Sequence, residues 1–220
     1  MPSLAIEPKT VTSRAYALLV RLIGEGGIGL GDRLDERALA TEMQISRTPL
    51  REAIGMLATE GVIEYRPYQG NFVRTFTAAQ VEDLYEVRKT LEALAVRSAV
   101  ARLTDEGLAR VRAIVADIDA AVAAGDVAAV GAADRRFHDA IAELSGNQTL
   151  VQALDRLALQ VQLIRSTANR EPDVVERTAH ERHDILAALE GRDAARAAAL
   201  MEEHIEGVKR SVVARFGADG

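Results

Sequence analysis

The sequence predicts a mainly α protein: a small N-terminal unit of three helices and one β-hairpin, followed by an antiparallel all-α helical bundle. Three observations carry this. Aromatic residues make up 4%, Trp is absent and Ala is abundant, a composition that favours small-residue helix packing over an aromatic-rich β-sandwich. Only VIEYRPYQGNFVRTF reads as a strand pair. From Thr77 onward the apolar positions recur at helical spacing with only short breaks.

Residues 1–11 hold two Pro and no sustained periodicity, and are expected to form a flexible arm. Ala15, Leu18, Leu19, Leu22 and Ile23 predict a first helix over 12–24, which Gly24, Gly26 and Gly27 end. Leu34, Ala38, Leu39 and Met43 are expected to line one face of a short second helix. After a tight turn, Ser46 is a good N-cap, Pro49 sits in the first turn, and Leu50, Ile54 and Leu57 give the buried stripe of a third helix that ends near Gly61. Strands around 62–65 and 72–76 then flank Pro67, Gln69 and Gly70. Thr77 and Gln80 form a capping box, and six helices follow at roughly 77–102, 105–123, 126–145, 148–169, 173–190 and 193–215. Loops this short leave an antiparallel bundle as the arrangement. The domains are therefore an arm (1–11), a hairpin-bearing helical domain (12–76), an all-helical domain (77–215) and a tail (216–220).

Composition narrows the function. At 220 residues and 48% hydrophobic, the chain can bury a core, which excludes a disordered protein. No apolar run approaches the ~18 residues of a membrane span, and the N-terminus has no signal-peptide stretch, so a cytoplasmic protein without membrane partners is expected. Zero Cys excludes disulfides and thiolate metal sites. The net charge of -6 is unevenly distributed. Basic and acidic residues balance at nine each in residues 1–76, whereas the remainder carries 18 against 24.

A helix, a short helix, a tight turn, a third helix and a hairpin make the order of a winged helix-turn-helix, whose third helix can enter the DNA major groove. Its first turn presents Ser46, Arg47, Thr48 and Arg51 at the end with free amides. Arg reads guanine bidentately, while hydroxyls and amides hold phosphates. Arg37 on the second helix and Arg66, Tyr68 and Gln69 on the hairpin could extend the contact. Two Arg near a helix start can equally be plain surface charges. However, they oppose the helix dipole at a cost of roughly 0.3 to 1 kcal/mol, which suggests an external user.

The stretch LGDRLDERALATEMQISRTPLREAIGMLATEGVIEYRPYQGNFV resembles the DNA-binding domain of GntR-family bacterial transcription factors over about residues 12–76. The resemblance implies DNA contacts from Arg37, Ser46, Arg47, Thr48 and Arg51, with the wing around Tyr68 to Gly70 entering the minor groove. Asp32 departs from the Pro common in that loop.

In the helical part, Asp134 and His138 stand i, i+4 on one helix, His180 and His183 i, i+3 on another, and His204 on the last. Imidazoles and a carboxylate without thiolate suit Zn, Ni, Mn or Fe(II), although four His in a chain of this size are also ordinary. ADRRFHDAIAELSGNQTL, MEEHIEGV and VRKTLEALAVRSA are similar to the ligand domain of the FadR-like GntR subgroup, the FCD domain. That resemblance implies a divalent metal on Asp134, His138 and His204, a small carboxylate effector beside it, and Arg88 as a partner for the effector, the alternative for Arg88 being an i, i+4 pair with Glu92 or packing beside Leu84. The subgroup's remaining His falls on Arg182, one residue before His183. Either His183 or His180 completes the metal site, or Arg182 occupies it and offers a fixed cation to an anionic effector.

The expected function is a ligand-responsive, non-enzymatic repressor that binds double-stranded operator DNA as a homodimer. The alternative is a metal- or acid-binding bundle, enzyme or interaction module, with a silent DNA-binding domain. The chain has no HExxH, phosphate loop or GxSxG elbow.

Overall fold

The computed structural model describes residues 10–24, 26–166 and 172–216. Most of the expected arm, the Glu171 side of one expected break and nearly all of the tail lie outside the described residues. The chain divides into two compact units between Thr75 and Phe76.

In the first unit, α1 (Val11–Gly24) buries Ala15, Leu19 and Ile23 on one stripe and packs against α3 (Arg47–Thr59), which buries Leu50, Ala53, Ile54 and Leu57. Burying such a Leu or Ile side chain stabilises the unit by about 1.5 to 3 kcal/mol. Between them, α2 (Glu36–Glu42) starts where the Asp35 carboxylate accepts the amides of Arg37 and Ala38. This cap corrects the expected face of α2. Leu34 lies before the helix and its amide donates to the Asn71 carbonyl at 2.8 Å, while the buried side carries Ala40 and leaves Ala38 exposed.

The hairpin pairs β1 (Ile63–Arg66) with β2 (Gly70–Val73) in antiparallel register, Ile63 opposite Val73 and Arg66 opposite Gly70. The second strand therefore starts and ends earlier than the expected 72–76. Phe72 is also bridged by Arg33 from the loop before α2. Gly70 has φ +104, a conformation that an L side chain rarely adopts; this lets the tight Pro67–Gln69 connection close.

The second unit begins with α4 (Ala78–Arg102), whose capping box is complete: Thr77 and Gln80 each accept the other's backbone N–H. Thr77→Ala is expected to cost about 1 kcal/mol, read as a lower urea midpoint of this unit; an unchanged midpoint would show that the box contributes nothing. Then follow α5 (Asp105–Ala123), α6 (Val127–Leu144), α7 (Gln148–Ser166), α8 (Pro172–Glu190) and α9 (Ala194–Phe216). The last helix packs along α4 and α8, α5 packs on α6 and α8, and α4 on α6 and α7. Tyr85, Phe137, Ile141, Ile164, Ile185 and Ile205 are buried between these helices. Among the described residues, no helix is long and apolar enough to cross a membrane.

Candidate DNA interface and buried ligand site

The first turns of α3 carry Arg47, Thr48 and Arg51, all exposed. Ser46 has the extended N-cap backbone, yet its side chain makes no capping bond, so its hydroxyl is not spent on the helix end. Arg51 Nε donates to Glu36 Oε2 at 2.6 Å, and Arg47 Nη2 lies 3.5 Å from the same oxygen. Asn71 of β2 donates to the other Glu36 oxygen at 3.2 Å. Arg51 foremost, and Arg47 after it, hold the Glu36 carboxyl below its ordinary value against some desolvation. Glu36 thus links the start of α3 to the hairpin and orients both guanidiniums. It was not a candidate in the sequence, because a pairing across 15 residues leaves no periodic trace. Arg37 is exposed on α2, and Tyr68 is fully exposed in the hairpin turn with φ +63. Behind it the Arg66 guanidinium sits 4.3 Å over the Phe72 ring.

The second unit brings Asp134 and His138 of α6 together with His204 of α9, all buried, with candidate donor atoms within 4.8 Å of one another. These three could hold a metal ion. The two imidazole rings stack with centroids 5.6 Å apart. His138 Nδ1 donates to Glu92 at 3.0 Å and His204 Nδ1 to Glu181 at 2.7 Å. A carboxylate only accepts, which fixes both Nδ1 atoms as protonated and leaves each Nε2 for something else. Among the described residues, His138 Nε2 is buried without a hydrogen-bond partner, an Asp134 carboxylate oxygen standing 3.6 Å away.

Arginines complete the cluster. Arg165 of α7 donates to one oxygen of Asp134 and Arg182 of α8 to the other. Arg88 Nε donates to Glu92 at 3.2 Å. Burial pushes the Asp134 and Glu92 carboxyls up, but neighbouring cations overcome it. Arg165 and Arg182 hold Asp134 well below its usual range, and His138 and Arg88 hold Glu92 at about 2.

Arg182 is 1% exposed, whereas His183 is half-exposed on the far side of α8, with Nε2 3.0 Å from Asp119. His180 is exposed too. The expected fourth ligand, His183, is therefore not brought to the cluster; a step of 100° around the helix puts residue 182 there instead. Arg165 went unnoticed in the sequence, since nothing local distinguishes it from a surface Arg in the last turn of a helix.

As a metal centre the set fits in donor type and fails in charge. Two imidazoles oriented by carboxylates suit Zn-like ions. The one anionic donor, Asp134, is already engaged on both oxygens by guanidiniums, and a dication there would stand against buried Arg182.

Burial, followed by Arg182 and His138, holds His204 down to about 4 despite its bond to Glu181. Between the ordinary 6.5 and about 4, the unfolded chain takes a proton that the folded state refuses, so stability falls as pH drops through that window. Glu92, held at about 2 against an ordinary 4.5, extends the loss to lower pH. Urea midpoints of the second unit should fall steadily from about pH 7 to pH 4; a flat profile would show His204 protonating freely in the fold.

Comparison with known proteins follows the same division. Residues 11–73 match the family of bacterial regulatory proteins, gntR family, and residues 83–207 match the FCD domain. The chain is 33% identical over 179 residues to the Nta operon transcriptional regulator of Aminobacter aminovorans, covering 80% of this chain and 82% of that protein. It is 25% identical to the HTH-type transcriptional repressor RspR of Escherichia coli K12, over 92% and 89% of the two chains. Among solved structures, E. coli McbR/YncC superposes with a TM-score of 0.85 at 23% identity, covering 95% of this chain and all of that one; at that identity it speaks for the fold.

Proposed function

Because the chain belongs to the GntR family of bacterial transcriptional regulators and carries an FCD domain, we propose that it is a repressor released from its operator by a small carboxylate metabolite. It is a DNA-binding regulator and not an enzyme, as its relatives are. In this reading Arg47 and Arg51 read bases, Ser46, Thr48 and Arg37 hold phosphates, and the turn at Tyr68 and Gly70 reaches the minor groove. A homodimer places two such units on the half-sites of a pseudo-palindrome. The effector binds at Arg88 and Arg182 beside Asp134, and acts only through different affinities for the DNA-competent and DNA-incompetent arrangements.

The observation that carries the effector half is the buried cluster around Asp134. Among the described residues, six charged or imidazole side chains from five helices converge on Asp134, far more than stability asks of a helical core.

A second reading keeps a divalent ion, Zn, Ni, Mn or Fe, on Asp134, His138 and His204, and the unpartnered His138 Nε2 favours it. It requires Arg165 and Arg182 to release Asp134.

The test is selection of genomic fragments by the purified protein at near-physiological salt, followed by sequencing. One or a few inverted-repeat sites are expected, and their flanking genes would name the pathway whose acids are to be tried. Recovery at background level, with and without added metal, would overturn the regulator reading in favour of the silent-domain alternative.

A further inference from the structure

We propose that Arg182 takes the place of a bound cation in the Asp134 cluster, making the effector site a metal-independent guanidinium clamp for a short aliphatic monocarboxylate. This rests on the reading of the second unit as the effector domain and names the chemistry of its ligand.

Charge is the first argument. The guanidiniums of Arg88, Arg165 and Arg182 face the carboxylates of Asp134 and Glu92, while Glu181 at the rim is engaged by Arg177 and His204. Among the described residues the clamp holds one cation more than it has anions, and a single carboxylate makes up the difference.

Unspent donors are the second. Among the described residues, Nε and Nη1 of Arg182, Nε of Arg165, Nη1 of Arg88 and the Tyr85 hydroxyl are buried with no hydrogen-bond partner. Such groups need an acceptor. A carboxylate has two oxygens with about four lone-pair sites and matches the planar fork of a guanidinium. A divalent metal answers neither need, since it accepts no hydrogen bond and adds positive charge.

The third argument concerns the rest of the ligand. Arg165 also lines a pocket whose walls are Val127, Val130, Val174, Val175, Val208 and Val212, with only Thr178 and Ser211 polar. A carboxylate near Arg165 therefore points its chain at a valine-lined crevice that widens to take it, where a second carboxylate would meet, among the described residues, only Arg165 and the Arg177 guanidinium at Ser211, which Glu181 already engages.

The experiment is calorimetric titration of the full-length protein, dialysed against EDTA and checked for Zn, Ni, Mn and Fe by mass spectrometry. The probes are isovalerate, isovaleramide, acetate and succinate. Isovalerate is expected to bind the stripped protein as tightly as protein resupplied with Zn, and at least about tenfold more tightly than isovaleramide or succinate. Arg182→His should abolish binding in stripped protein and restore it on adding Zn. Val175→Phe, which leaves the partners of Asp134 in place, should weaken isovalerate by about tenfold and leave acetate unchanged. Retention of a stoichiometric metal by the wild type, with binding lost to EDTA, overturns the clamp. So does isovaleramide binding as well as the acid, or no acid binding to protein that still shifts its operator. Isovalerate binding to stripped protein that recognises no DNA site would overturn the regulator reading and leave the clamp standing.

Discussion

Asp134→Ala is expected to destabilise the helical unit by about 3 to 5 kcal/mol, the range for removing one partner of a buried ion pair. Asp134 is 2% exposed and accepts from Arg165 and Arg182 together. Without it, two guanidiniums remain desolvated with no carboxylate between them, and Arg182 is too deeply buried to reach water. The measurement is urea unfolding followed by circular dichroism. Asp134→Asn, which keeps the shape and removes the charge, should show most of the same loss. A loss below about 1 kcal/mol in both variants would mean that the arginines find other partners, as at an exposed pair.

Arg47→Ala is expected to weaken operator binding by about 1 to 3 kcal/mol, roughly 5- to 150-fold, and to weaken binding to random DNA by less. Arg47 stands exposed in the first turn of α3, with Glu36 3.5 Å away to orient it. A base-reading guanidinium loses a bidentate bond only where its guanine is present. Equal losses on operator and random DNA would show Arg47 to be a phosphate contact, with a shallower salt dependence as the accompanying sign.

The two predictions differ in how far the sequence could have led to them. Arg47 stands in a local motif, and its surroundings within a turn or two already mark a helix N-terminus. The same holds for the helices of the second unit. The expected spans 105–123 and 126–145 meet α5 at Asp105–Ala123 and α6 at Val127–Leu144, because the caps Thr104 and Asp126 act on amides three residues away. Ala38 is the exception: the Asp35 cap leaves Leu34 outside α2, and the seven-residue helix buries Ala40 instead.

Arg182 shows the limit. Its position was legible in part, since Thr178, Arg182, Ile185 and Leu189 follow helical spacing along the buried stripe of α8. An arginine on an apolar stripe is a signal, yet it does not say what meets it. The sequence by itself determined the mainly α class, the winged helix-turn-helix and the pair of Asp134 and His138, because periodicity, capping and motif spacing are written in neighbouring residues; His204 joins that pair only through the resemblance to the FCD domain. Only the tertiary structure decided that Arg165 and Arg182 hold Asp134, that Glu92 and Glu181 orient the imidazoles, and that His183 faces Asp119. Those pairings join residues on different helices, and their geometry follows from how each helix is rotated about its axis when the core packs.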